Sequence, residues 1–144
     1  GLMSTPTAAL VFAIAFAVVG ILGFMPSPPP PDAPPLAIEH GHGMALGMFP
    51  VNTLHNVVHL LFAILGLAAW GGGRARGYFQ FLAVSYALLT VLGLSAATNT
   101  TFGLIPIWGA DVYLHGAVAI AAFYFGFVHG SVDVHHHHPT PTRA

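Results

Sequence analysis

Asn52-Thr53-Leu54-His55-Asn56-Val57-Val58-His59 opens a stretch that runs on through Leu60-Leu61-Phe62-Ala63-Ile64-Leu65-Gly66-Leu67-Ala68-Ala69-Trp70 without a single Lys, Arg, Asp or Glu. At a rise of about 1.5 Å per residue, a helix of this length comes close to crossing a hydrocarbon core of about 30 Å. Three further stretches share the pattern, from about Thr7 to Met25, Tyr78 to Ala97 and Ala110 to Val128, and none of the four contains Lys, Arg or Glu. Only 5% of the 144 residues are charged and 56% are hydrophobic, whereas a soluble domain carries about 25% charged residues. Lipid rather than water is therefore the main solvent and the first partner. The expectation is an all-α integral membrane four-helix bundle over residues 1–129, followed by a His- and Pro-rich tail at 130–144.

The same composition removes several functions. Lysine is absent and the arginines are Arg74, Arg76 and Arg143, too few to neutralise a row of phosphates, so nucleic-acid binding is excluded. Without cysteine there are no disulfides, thiolate metal sites, iron–sulfur clusters or thiol catalysis. The first stretch has no basic residues before it, and Met25-Pro26-Ser27-Pro28 makes a poor cleavage site, so it reads as a helix rather than a signal peptide. A myristoylation-like start at Gly1 and a sequon at Asn99-Thr100-Thr101 read as coincidences.

Arg74 and Arg76 lie together in the turn 71–77. Basic residues concentrate on the cytoplasmic side, so that turn and both termini are expected there, with loops 26–51 and 98–109 on the outer side. Segment 26–43 holds Pro26, Pro28 to Pro31, Pro34 and Pro35 and is expected to be extended polyproline-type chain. The tail, with His135 to His138 before Pro139-Thr140-Pro141-Thr142, has few apolar residues to bury and no helical period, and by itself is expected to be disordered.

Gly47-Met48-Phe49-Pro50-Val51 lies over Gly103-Leu104-Ile105-Pro106-Ile107 at a constant offset of 56 residues, which carries His59 onto His115 and His55 onto Asp111. Upstream, Leu22-Gly23-Phe24 matches Leu92-Gly93-Leu94 at a longer offset, the difference being the Pro-rich insertion. The chain thus reads as two helical hairpins related as parallel repeats about an axis along the membrane normal. Ala9, Ala13 and Ala17 form a small-residue row on the first helix; Ala117/Ala121 and Ala122/Gly126 do so on the fourth. Such rows allow close helix approach, and their number suggests at least one seam turned outward.

His55 and His59 are one helical turn apart, as are Asp111 and His115, so the repeat places four polar side chains at equal depth near the outer surface. Two readings stay open. Three imidazoles and a carboxylate suit zinc or another divalent metal, and His55, His59 and His115 are candidate ligands for a metal, haem or pigment. Alternatively, His–Asp and His–Asn pairs form a structural clasp between helices. Asn52 reads as the N-cap of the second helix, and Asp111 favours the positive end of the fourth, at N3 if Trp108 is the cap. His40 and His42 read as solvated loop residues. Below His59 and His115 the helices are apolar or aromatic, which argues against a proton or ion path. Nor does a nucleophile stand beside Asp111 and its histidine, so no enzyme is expected.

The motifs from Gly47 to His59 and from Phe102 to Asp111, with Leu114-His115 following, resemble a family of small bacterial four-helix membrane proteins known only as a domain of unknown function. The resemblance covers about residues 8–128. It matches Pro50, Asn52, His55, Asn56 and His59 in one half and Pro106, Gly109, Asp111 and His115 in the other, and it implies no known reaction. The Pro-rich loop and the tail depart from the family pattern. Together these features lead to two expectations. One is a non-catalytic accessory or scaffold subunit at the edge of a larger membrane complex, such as a photosynthetic or respiratory assembly in a bacterial inner or photosynthetic membrane, packed against other membrane subunits. The other is a protein binding a metal, haem or pigment through the His/Asp cluster.

Overall fold

The computed structural model describes residues 3–129; the expectations for the tail at 130–144 lie outside them. Four helices are long and apolar enough to cross a membrane, at Thr5–Leu22, Thr53–Gly71, Ala75–Gly93 and Ala110–Val128. The chain is an all-α integral membrane bundle of two hairpins, with one small sheet in a loop.

Helix α1 (Thr5–Leu22) starts earlier than the apolar pattern suggests because Ser4 caps it, accepting the Thr7 amide at 3.3 Å, and Pro6 needs no intrahelical partner in the first turn. It also ends earlier, where Gly23 packs directly against the Asn56 side chain. Strands β1 (Gly43–Ala45) and β2 (Phe49–Val51) then form an antiparallel hairpin in which Met44 pairs with Pro50. Its turn needs positive φ at Leu46 and Gly47. This hairpin was not expected. Three-residue strands carrying Pro50 give no alternating signal, and what fixes them is pairing at a distance: Ser27 and Met44 exchange backbone bonds of 3.0 and 2.8 Å, tying the start of the Pro-rich segment to β1.

Helix α2 (Thr53–Gly71) begins where the sequence indicates, with Asn52 as its cap. Helix α3 (Ala75–Gly93) is displaced towards the N-terminus of the expected span of Tyr78 to Ala97. It stops at Gly93 because the following loop folds back across its end: a Cβ there would lie 2.6 Å from the Ile107 carbonyl oxygen. Helix α4 (Ala110–Phe123) is preceded by Gly109, not capped by Trp108, so Asp111 is its second residue. The backbone of Gly109, at φ 67° and ψ −131°, lies in a region open to glycine. Beyond Phe123 the helix widens into a π-helical turn, Tyr124–Val128.

Within each half the two helices pack closely, α1 on α2 and α3 on α4, while the halves meet mainly through α1, α2 and α3. Ala8, Ala9, Phe16, Phe79, Leu82 and Tyr86 are among the buried core. The rows Ala9/Ala13 and Ala122/Gly126 face inward; at Gly126 the α3 backbone comes so close that a Cβ would lie 2.8 Å from the Gln80 amide nitrogen. Ala117, by contrast, is exposed. Ile14, Val18, Ile64, Val84, Leu88 and Ile120 turn large apolar side chains outward, as a lipid-facing surface requires.

Candidate metal centre

Asn52 organises the end of the bundle that carries the long loops. Its Oδ1 accepts the His55 amide at 2.9 Å, and its Nδ2 donates to the carbonyls of Ile38 at 3.0 Å and Leu104 at 2.8 Å. One buried amide therefore starts α2 and holds a loop from each half over it. Pro50 and Pro106, equivalent in the repeat, are both fully buried beside this junction. His40 is exposed, its Nδ1 bonded to Thr53 Oγ1 at 2.7 Å, while the Nε2 of His42 is buried without a partner; neither joins the cluster.

The first two turns of α2 and α4 then deliver four side chains to one place. His55 and His59 come from α2, with ring centroids 4.4 Å apart. Asp111 and His115 come from α4, and Asp111 Oδ2 stands 3.8 Å from His55 Nε2 and 4.0 Å from His115 Nε2. One ring nitrogen from each of His55, His59 and His115 can be chosen so that all three lie within 4.8 Å of one another. All four residues are at most 5% exposed.

The clasp of direct hydrogen bonds is not what this geometry forms. Both carboxylate–imidazole separations exceed hydrogen-bond length. The Nδ1 atoms of His59 and His115, the Oδ2 of Asp111 and both amide atoms of Asn56 are buried with no hydrogen-bond partner, while the His55 ring faces the Pro50 backbone without a bond of good geometry. A buried polar group left unpaired costs about 1–3 kcal/mol, so this concentration at one point is an expense that an occupant would offset. Three cavities border the cluster. One of about 150 Å³ lies under the β-hairpin beside His55, His59 and Asp111. Two of about 240 Å³ flank it, one between α1 and α4 and one between α2 and α3, and both reach His59, His115 and Tyr86.

Two aromatic residues, one from each half, complete the surroundings. Phe16 lies 6.1 Å from His59, and Tyr86 5.2 Å from His115. The sequence pairs them, since the alignment of Leu22-Gly23 on Leu92-Gly93 places Phe16 on Tyr86.

The paired motifs that resemble a known family thus build one site, and the model of that family matches residues 7–128, under the description of a domain of unknown function, DUF4383. The chain belongs to the DUF4383 family. Comparison with curated proteins and with solved structures gave no match. In this DUF4383 chain, His55, His59, Asp111 and His115 converge. Asn52, Pro50, Pro106 and Gly109 shape the loop end around them, and Asn56 packs against Gly23.

Proposed function

We propose that this chain is a non-catalytic membrane protein that binds one transition-metal ion of borderline softness, through His55, His59 and His115 with the Asp111 carboxylate as fourth donor. The observation that supports it best is the convergence of buried ring nitrogens within 4.8 Å, next to a buried carboxylate oxygen, Asp111 Oδ2, without a hydrogen-bond partner. Donors around a tetrahedral zinc lie about 3.3 Å apart, given bonds of about 2.0–2.1 Å; modest rotations of the imidazoles would close the set. Imidazole nitrogen with carboxylate oxygen suits ions of the zinc, nickel and iron type. A bare ion fits better than haem or a chlorophyll-type pigment. The adjoining cavities of 150 and 240 Å³ fall below the roughly 300–1,000 Å³ typical of organic-ligand sites. With Arg74 and Arg76 marking the cytoplasmic turn, the centre would face the outer side of a bacterial inner or photosynthetic membrane.

The test is elemental analysis of the protein purified in mild detergent without affinity metals, followed by cobalt(II) substitution. One ion per chain, with the absorption bands of four-coordinate cobalt that disappear in His59→Ala and His115→Ala, is the expected result. Metal-free protein that takes up neither zinc nor cobalt overturns the reading.

A second reading, the accessory subunit packed at the edge of a photosynthetic or respiratory complex, draws on α4. There Ala117 and Ile120 are exposed beside Tyr113, which is 83% exposed, while Ala121 is half-buried, so one small-residue row starts on the outward face, where a seam for another membrane subunit would lie. Native-gel separation of gently solubilised membranes tests it: co-migration with a large assembly supports it, and a small free species opposes it.

A further inference from the structure

The repeat relates the two halves of the centre residue by residue. His59 corresponds to His115 and His55 to Asp111. Behind the paired histidines stand the paired aromatics Phe16 and Tyr86, which meet each other at 5.8 Å. The cluster therefore straddles the pseudo-twofold axis of the bundle. Among the four donor positions the break in this symmetry is Asp111: a strict repeat would place an imidazole there.

We infer that Asp111 makes the site select a dication over a monocation. This inference rests on the metal-binding reading above and gives that site its ligand class. Neutral imidazoles donate electron pairs to either kind of ion and carry no charge of their own. The carboxylate does carry one, and its Coulomb attraction doubles from a singly to a doubly charged ion at the same distance. Among the described residues no lysine or arginine competes for it. Lysine is absent, and Arg74 and Arg76 lie beside the turn between α2 and α3, at the opposite end of the bundle. Among the described residues the groups nearest Asp111 are His55 from α2 and His115 from its own helix, with the uncharged Tyr86 phenol of α3 beyond them. With Asp111 only 2% exposed, an ionised carboxylate is costly there by itself, and a bound cation, which bulk water does little to screen, is what would hold it in its charged form.

The experiment measures Zn²⁺ and Ag⁺ affinities of the detergent-purified protein, the silver ion serving as a redox-stable monocation that imidazole binds. Asp111→Asn should weaken zinc by about 100-fold and silver by about 10-fold, because half the electrostatic gain is lost. The zinc-to-silver preference then falls about tenfold. Asp111→His, which installs the residue found at the equivalent position of the first half, should keep silver binding and lose the zinc preference likewise. Both variants are first checked by gel filtration; should the asparagine variant fail to fold, the histidine variant alone gives the ratio. An unchanged ratio in a folded variant that still binds metal overturns the role of Asp111 and leaves the metal site standing. A wild-type protein that binds neither ion removes the metal reading and this inference together.

Discussion

His55 Nε2 stands 3.8 Å from Asp111 Oδ2 across the boundary between the two hairpins, and nothing closer pairs the two. The distance is long for a direct bond and short enough for one ion to touch both atoms. That relationship turns the effect of removing a cluster member into a question of occupancy. His115→Leu replaces an unpartnered buried imidazole by a side chain that belongs in an apolar bundle. In chelator-treated protein it should leave thermal stability equal or slightly higher, since deleting an unpaired polar group removes a desolvation cost. In protein held at 100 times the dissociation constant of the metal, the wild type gains about 2.7 kcal/mol and the variant does not. Thermal unfolding in detergent with and without zinc measures both arms, and a variant less stable in both conditions would show that the histidine serves structure alone.

Asn52 is the residue whose loss should be felt furthest. Asn52→Ala removes the α2 cap, at about 1 kcal/mol. It also frees the carbonyls of Ile38 and Leu104 from their shared donor, for a total of about 2–3 kcal/mol. Asn52→Asp keeps the cap acceptor but sets a second oxygen against both carbonyls in a fully buried place, so its stability should fall to that of alanine or below. Limited proteolysis should detect the same order as faster cutting in the loops, and equal rates in all three proteins would refute the bridging role.

Why Asn52 and the four cluster residues were readable beforehand, and other features were not, follows from the range of the forces involved. A polar residue just before an uncharged apolar run declares a helix start, and the offset that carries His59 onto His115 declares equal depth. The bundle and the convergence of its polar residues were both legible on those grounds. Other features depend on chain segments that meet only in the fold. The end of α3 at Gly93 is set by the Ile107 carbonyl, the short strands by the pairing of Ser27 with Met44, and the end of α1 by Asn56 against Gly23. That His55 would stand apart from Asp111 depends on interhelix spacing to within an ångström, and that His115 would do so on side-chain rotamers within α4, and no periodicity encodes either.

Close packing of the second hairpin rests on a glycine that can be tested against a control in the same hairpin. A Cβ at Gly126 would lie 2.8 Å from the Gln80 nitrogen and 3.0 Å from the Phe79 carbonyl carbon, both backbone atoms, whereas one at Gly77 meets nothing within 4 Å. Gly126→Ala should therefore push α4 off α3 and cost about 1–3 kcal/mol. Gly77→Ala should be neutral or stabilise α3 by up to about 1 kcal/mol through helix propensity. Unfolding in detergent compares them, and a harmless Gly126→Ala would mean that the helices are not held this close.

The same glycine carries a carbonyl that accepts two side chains from α3, Arg76 Nε at 3.1 Å and Gln80 Nε2 at 3.0 Å. It sits in the π-helical turn, where wider hydrogen bonding loosens the ladder of α4. Each donor covers for the loss of the other, so Arg76→Leu and Gln80→Leu singly should each cost under about 1 kcal/mol, the net value of one hydrogen bond. The double variant withdraws both side-chain donors from the carbonyl of the buried Gly126, and should cost about 1–3 kcal/mol more than the sum. A double-mutant cycle on unfolding free energy reads this coupling directly. Strict additivity would show that the two bonds do not share the task of holding the end of α4 against α3.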